Sequence, residues 1–167
     1  EADTRARAMA QKLGYQLPAD CADPDLIQRD IAANMRRSVE AVLQVGQGLC
    51  VLKEACKHGD FLPRLEGLGF EQRLARRLMQ AAARFSNRAS TPVLKAAGSQ
   101  TKLLEMLVLD DEQIEELELT GQTGELDLDD VARMSVKELR QALRDAKADK
   151  LADKQLLDRK NNRIDKL

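Results

Sequence analysis

Aromatic side chains are scarce in this 167-residue chain: three Phe, one Tyr and no Trp. With β-branched residues also few, that scarcity excludes a core built on sheets. There is one His, so metal centres and His-based catalysis have little to draw on. Three Cys cannot complete a disulfide framework, and the odd count fits a reducing cytoplasm. Cys50 and Cys56, six positions apart, lie about 240° apart around a helix and so read as core or boundary thiols rather than a metal pair. No apolar run approaches the length of a membrane span. The chain opens at Glu1 among charged residues, without a signal-peptide pattern. The absent Met and the helical C-terminus lead us to expect a piece excised from a longer protein. Cytoplasmic location is expected, with no membrane contact, cofactor, metal or small-molecule substrate.

What is present is helix-forming. Leu, Ala, Lys, Arg, Glu, Asp and Gln dominate a composition that is 43% hydrophobic and 33% charged. The predicted fold class is all-α: a compact multi-helix domain over residues 1–134, followed by a C-terminal helix over 135–167.

The helix boundaries are written in capping and glycine signals. Asp3 is placed as the cap of a first helix ending at Leu13, with Gly14 beyond it, and Tyr15–Ala22 reads as a connection. Asp23-Pro24-Asp25 is a strong start, after which Ile27, Ile31, Met35, Val42, Val45, Leu49, Leu52 and Cys56 recur at helical spacing. One helix of about 30 residues is predicted, with Gly46 and Gly48 allowing a close crossing or a mild kink. Asp60 is expected to cap a short helix ending at Gly67-Leu68-Gly69, followed by a longer one from Phe70 to Phe85. Ser86–Pro92 reads as a turn, then 93–97 and 100–108 as brief helices split by Gly98-Ser99. Asp110 or Asp111 caps a helix over Glu112–Leu119, Gly121–Gly124 is a loop, and Asp129–Met134 adds a helical turn. Ser135 and Glu138 form a capping box opening a last helix.

Charge is segregated along the chain even though 27 basic and 28 acidic groups nearly cancel. Residues 57–95 hold 8 basic and 3 acidic groups, whereas residues 96–134 hold 2 basic and 11 acidic. Within the basic stretch, 60–85 has the element lengths and glycine turn of a helix-turn-helix. On its second helix Phe70, Leu74, Leu78, Ala81 or Ala82 and Phe85 make one apolar stripe. Gln72 lies off that stripe, and Arg73, Arg76, Arg77, Gln80 and Arg84 share a face. Arg can fork onto guanine edges or phosphates, and Gln can bridge adenine. Lys57, His58, Arg64, Arg88 and Lys95 are candidate rim contacts to the backbone. Two other readings stay open: a solvated face paired with Glu66 and Glu71, or a surface that docks an acidic protein segment, the chain's own 105–130 among them.

The stretch Val39–Phe85 resembles a bacterial domain family of unknown function carried by phages, plasmids and integrated mobile elements. The resemblance lies in Leu52, Lys53-Glu54 and Lys57-His58-Gly59-Asp60-Phe61, then Leu68-Gly69-Phe70, Arg73, Ala75, Arg76 and Met79. It implies a DNA-binding, helix-turn-helix-like module, and it gives His58 a part in shaping the helix junction rather than in catalysis.

Gly124 cannot serve as the sixth position of an EF-hand loop, because Leu119 and Gly121 would then occupy ligand positions. The carboxylates of 105–130 read as caps and solvated faces, or as a flank that repels DNA or autoinhibits the Arg face. In the last helix the a/d series Leu139, Leu143, Ala146, Lys150, Asp153, Leu157, Lys160, Ile164 and Leu167 is an imperfect coiled-coil seam. The expectation is a sequence-specific, double-stranded DNA-binding homodimer of a phage, plasmid or integrative element, acting in transcription regulation or element maintenance. The alternative is a non-enzymatic helical scaffold that oligomerises and docks charged partners. No nucleophile–base pair, phosphate-binding Gly loop or metal set supports an enzyme.

Overall fold

The long helix α2 (Pro24–Ala55) organises the chain. Its start follows from sequence: the Asp23 carboxylate accepts from the Asp25 backbone N–H at 3.0 Å, and Pro24 takes the first helical position, where a missing donor costs nothing. At 32 residues it spans about 48 Å. The computed structural model describes residues 1–85 and 91–166. α1 (Ala2–Leu13) precedes α2; α3 (Phe61–Leu68), α4 (Gln72–Phe85), α5 (Thr91–Ala97), α6 (Gln100–Glu105) and α7 (Asp111–Thr120) follow. A two-residue hairpin, β1 (Gln122–Thr123) and β2 (Leu126–Asp127), leads to α8 (Leu128–Arg133) and α9 (Val136–Asp165). The fold is all-α apart from that hairpin, in which Gln122 faces Asp127 and Thr123 faces Leu126.

The closest helix contact is between α2 and α4. Val39, Leu43, Gly46 and Leu49 of α2 are buried against Ala75, Leu78, Ala81, Ala82 and Phe85 of α4. Gly46 permits the approach: a Cβ built there would collide with the Leu78 carbonyl oxygen and stand 2.9 Å from the Ala82 Cβ. Gly48 has nothing within 4 Å, so only one of the two glycines serves the crossing. The second half of the core is assembled by α5 to α9 around Leu103, Met106, Leu109, Leu117, Val131, Leu139 and Leu143, each sealed from solvent. Three capping boxes set the entries to α7, α8 and α9: Asp110 with Gln113, Asp127 with Asp130, and Ser135 with Glu138.

Several local expectations are corrected. Asp3 lies inside the first turn of α1 and pairs with Arg7, while Glu1 holds the cap position. Asp60 precedes α3 without a side-chain capping bond. α4 begins at Gln72, two residues later than expected; Leu78, Ala81, Ala82 and Phe85 of its apolar stripe are buried together with Ala75, while Leu74 in the first turn is exposed. Pro92 belongs to α5, and the glycine loop at 121–124 contains β1. The first and last parts of the chain lie outside the contiguous core, which runs from Val39 to Leu143. α1 is tied to α2 by the Tyr15 hydroxyl donating to Asp30 at 2.6 Å, with Ala10 its one buried residue. The core does not stop at Met134, since Leu139 and Leu143 of α9 fill it. Those two seam positions are therefore occupied by the chain's own interior, and among the described residues Leu157 and Ile164 are the apolar seam positions left beyond Lys150.

Gly46→Ala is expected to lower stability by about 1–3 kcal/mol through overpacking. Gly48→Ala, which meets open space, is expected to raise it by about 0.5–1 kcal/mol through helix propensity. Urea midpoints of the two variants check the pair.

Partial burial raises the Asp110 carboxyl, but Lys150 and the Gln113 and Glu112 backbone N–H groups outweigh it and hold it below its ordinary value. A depressed folded value means stability that is complete above the ordinary carboxylate range and lost as pH falls through the lowered value. The thermal midpoint should therefore drop below about pH 4, less steeply in Asp110→Asn.

Candidate nucleic-acid interface

α3 and α4 are joined by Gly69, Phe70 and Glu71. Gly69 takes φ +82°, a left-handed conformation that closes α3 by returning its N–H to the Leu65 and Glu66 carbonyls. α4 packs far more extensively on α2 than on α3, so the α2–α4 crossing fixes which face of α4 looks outward. With Ala75, Leu78, Ala81, Ala82 and Phe85 inward, Gln72, Arg73, Arg76 and Gln80 are exposed on the opposite side. Arg77 is half-buried on the flank of this ridge. Among the described residues none of Arg73, Arg76 and Arg77 forms an ion pair with the chain's own carboxylates.

Arg84 does not belong to that ridge. Its guanidinium donates to the Leu107 carbonyl at 2.9 Å and the Leu109 carbonyl at 2.7 Å, and lies 3.4 Å from Asp111. It sits one turn beyond Gln80, where α4 passes over the Met106–Val108 turn, and its donors satisfy backbone oxygens that no helix uses. Its position continues the helical spacing of the ridge, but the far end of that face is covered by the chain itself. The expected rim residues are dispersed. Lys57 and Arg64 are exposed beside one another at the α2–α3 junction, lining a shallow recess with Cys56 and Asp60. Lys95 is exposed on α5, which packs chiefly on α6, α7 and α8, so the structure does not bring it to the ridge. Arg88 lies outside the described residues. His58 is exposed in the turn before Gly59, whose φ is +87°.

The acidic segment finds its partners elsewhere. Arg140 of α9 meets Glu105 at 2.8 Å, and Lys150 of α9 meets Asp110 and Glu112 at 2.7 Å each. Arg133 pairs with the neighbouring Asp130. Besides these, Lys102 donates to the Val131 and Ala132 carbonyls at the end of α8, and burial lowers its pKa. Of the 11 carboxylates of the acidic stretch, Glu105, Asp110 and Glu112 are thus engaged by α9, Asp111 by Arg84 and Asp130 by Arg133, and among the described residues none pairs with Arg73, Arg76 or Arg77.

One feature was not legible beforehand. A groove of about 460 Å3 opens between the end of α2, α3 and α4, floored by Phe61, Leu65, Ala75 and Met79, with Leu62 on its wall and Lys53, Arg76 and Gln80 at its edge. Phe61, Leu62, Leu65 and Leu68 fall within one arc of about 120° on α3, an ordinary apolar face, and only Leu65 of them is buried; the stripe is visible in the sequence but its incomplete cover is not. The three thiols are half-buried and free, and no metal-binding group of three or more His, Cys, Asp or Glu occurs among the described residues. No described helix is long and apolar enough to cross a membrane. Comparison with protein-family models, curated proteins and solved structures gives no match for this chain.

Replacing Arg84 by Met is expected to cost about 1–3 kcal/mol by leaving the two carbonyls without their charged donor. Arg73→Ala, on the exposed ridge, should stay within about 0.5 kcal/mol. Chemical denaturation of both variants separates a structural arginine from a surface one.

Proposed function

We propose that this chain binds double-stranded DNA through the outer ridge of α4, as a regulatory or maintenance protein of a phage, plasmid or integrative element. The observation that carries this reading is the set Arg73, Arg76 and Gln80: exposed and on one face, the two arginines without an ion pair among the described residues of a chain rich in carboxylates. Among the described residues the ion pairs of the acidic segment are made with Arg84, Arg133, Arg140 and Lys150, none of which stands on that face. In the proposed complex α4 enters the major groove, where Arg73 or Arg76 forks onto guanine and Gln80 bridges adenine. Gln72 and Arg77 contact the flanking backbone, and Lys57 and Arg64 reach phosphates beyond the turn. The reading places the protein in the cytoplasm, assigns it no catalysis and no cofactor, and sets two protomers on a palindromic site.

With Arg84 withdrawn from the interface, the phosphate contacts are those of Arg77, Lys57 and Arg64, so a log–log salt slope of about −3 per protomer is expected on duplex DNA. Fluorescence anisotropy with a labelled 20-base-pair duplex measures it. Arg73→Glu with Arg76→Glu should lower affinity at least about tenfold, while Arg36→Glu on the distant part of α2 should not. Undiminished binding by the double variant would remove the assignment, and selection from a random duplex pool reports whether bases are read.

A second reading, a non-enzymatic scaffold that oligomerises, is favoured by the end of α9, where Leu151, Leu156, Leu157 and Ile164 are more than half exposed. It calls for a mass above the monomer by light scattering and no duplex binding at moderate salt.

A further inference from the structure

The groove beside α4 is not accounted for by DNA. A duplex presents phosphate at each step and calls for cations along its path, whereas this groove has an apolar floor of Phe61, Leu65 and Met79 and a wall, Leu62, that is 49% exposed. Its charged edge is of one sign. Lys53 and Arg76 line it, no carboxylate does, and neither cation has an ion-pair partner among the described residues. An occupant that satisfies both features carries apolar anchors at helical spacing and carboxylates beside them.

Among the described residues the two obvious candidates do not match that occupant. The acidic helix α7 turns Ile114 and Leu117 into the interior, and the exposed apolar end of α9 over 151–165 carries four basic against three acidic side chains. We infer that the groove between α2, α3 and α4 docks an acidic amphipathic helix of a different protein, and that docking excludes duplex DNA. Leucine-type anchors at i, i+3 or i+4 and i+7 fill the floor, while glutamate or aspartate side chains face Lys53 and Arg76. Exclusion follows from shared residues: Arg76 and Gln80 line the groove and also stand on the ridge proposed to meet DNA. That clause rests on the DNA reading; the docking clause does not.

The test uses the full chain and a fluorescein-labelled, end-capped 16-residue peptide with Leu on one helical face and Glu elsewhere. A peptide of equal composition with its Leu residues dispersed and a Leu/Lys counterpart serve as controls. Anisotropy should show binding of the Leu/Glu peptide alone, weakened about tenfold or more by Leu62→Gln and by Lys53→Glu. Leu62 is half exposed, so its variant should keep the native circular dichroism and bind the duplex as the parent does. Saturating peptide should release bound duplex. Equal binding of either control peptide, or indifference to both substitutions, overturns the docking site. A ternary complex of chain, peptide and duplex overturns exclusion. Leu62-dependent peptide binding by a chain that binds no duplex supports the groove and refutes the DNA reading instead.

Discussion

The approach of α2 to α4 over Gly46 is the constraint on which the rest of the molecule depends. With no side chain at that position, the Leu78 backbone and the Ala82 methyl group press directly against α2. A close crossing of this kind buries the small face of α4, made of Ala75, Ala81 and Ala82 with Leu78 and Phe85, and so determines which residues are turned outward. Arg73, Arg76 and Gln80 face solvent because alanines face Gly46. Moving the crossing by one residue would rotate α4 by about 100° and redistribute its guanidinium groups. The same packing opens the groove, since α3 leans over α4 at one edge and leaves Phe61, Leu62 and Met79 incompletely covered.

Electrostatics then divide the surface. The carboxylates of 105–130 and the arginines of α4 are adjacent in sequence, and their direct meeting would have neutralised both. Among the described residues they touch at the end of α4, where Arg84 is held by two carbonyls and Asp111. α9 provides the other counter-charges through Arg140 and Lys150. These pairs are largely solvent-exposed and individually contribute little to stability. The cations of the ridge and of the groove edge are outside them.

Much of the architecture could be read from the residues. Asp23-Pro24, Gly14, Gly69 and the Ser135–Glu138 box are local devices whose geometry depends on immediate neighbours, and each sits where it was expected. Periodicity likewise gave α2 to within a few residues. What failed depends on contacts distant in sequence. Arg84 follows the spacing of the ridge, and nothing local shows that the Leu107 and Leu109 carbonyls wait beneath it, more than 20 residues away. Most of the α4 stripe is buried as its spacing implies, and Leu74 alone of its helical positions is exposed, in the first turn where Ala75 is buried instead. The groove belongs to three helices at once, so no single segment announces it.

Lys150 closes the anchored part of α9, and the residues from 151 to 165 extend from it without a buried side chain. That free stretch is about 22 Å of rigid rod. It acts as a lever whose fulcrum is the clamp between the Lys150 ammonium and the carboxylates of Asp110 and Glu112. A tilt of about 10° at the clamp carries the far end by about 4 Å. Because the helix is unbroken through Lys150, a small change in how Leu139 and Leu143 seat in the interior is magnified at its far end.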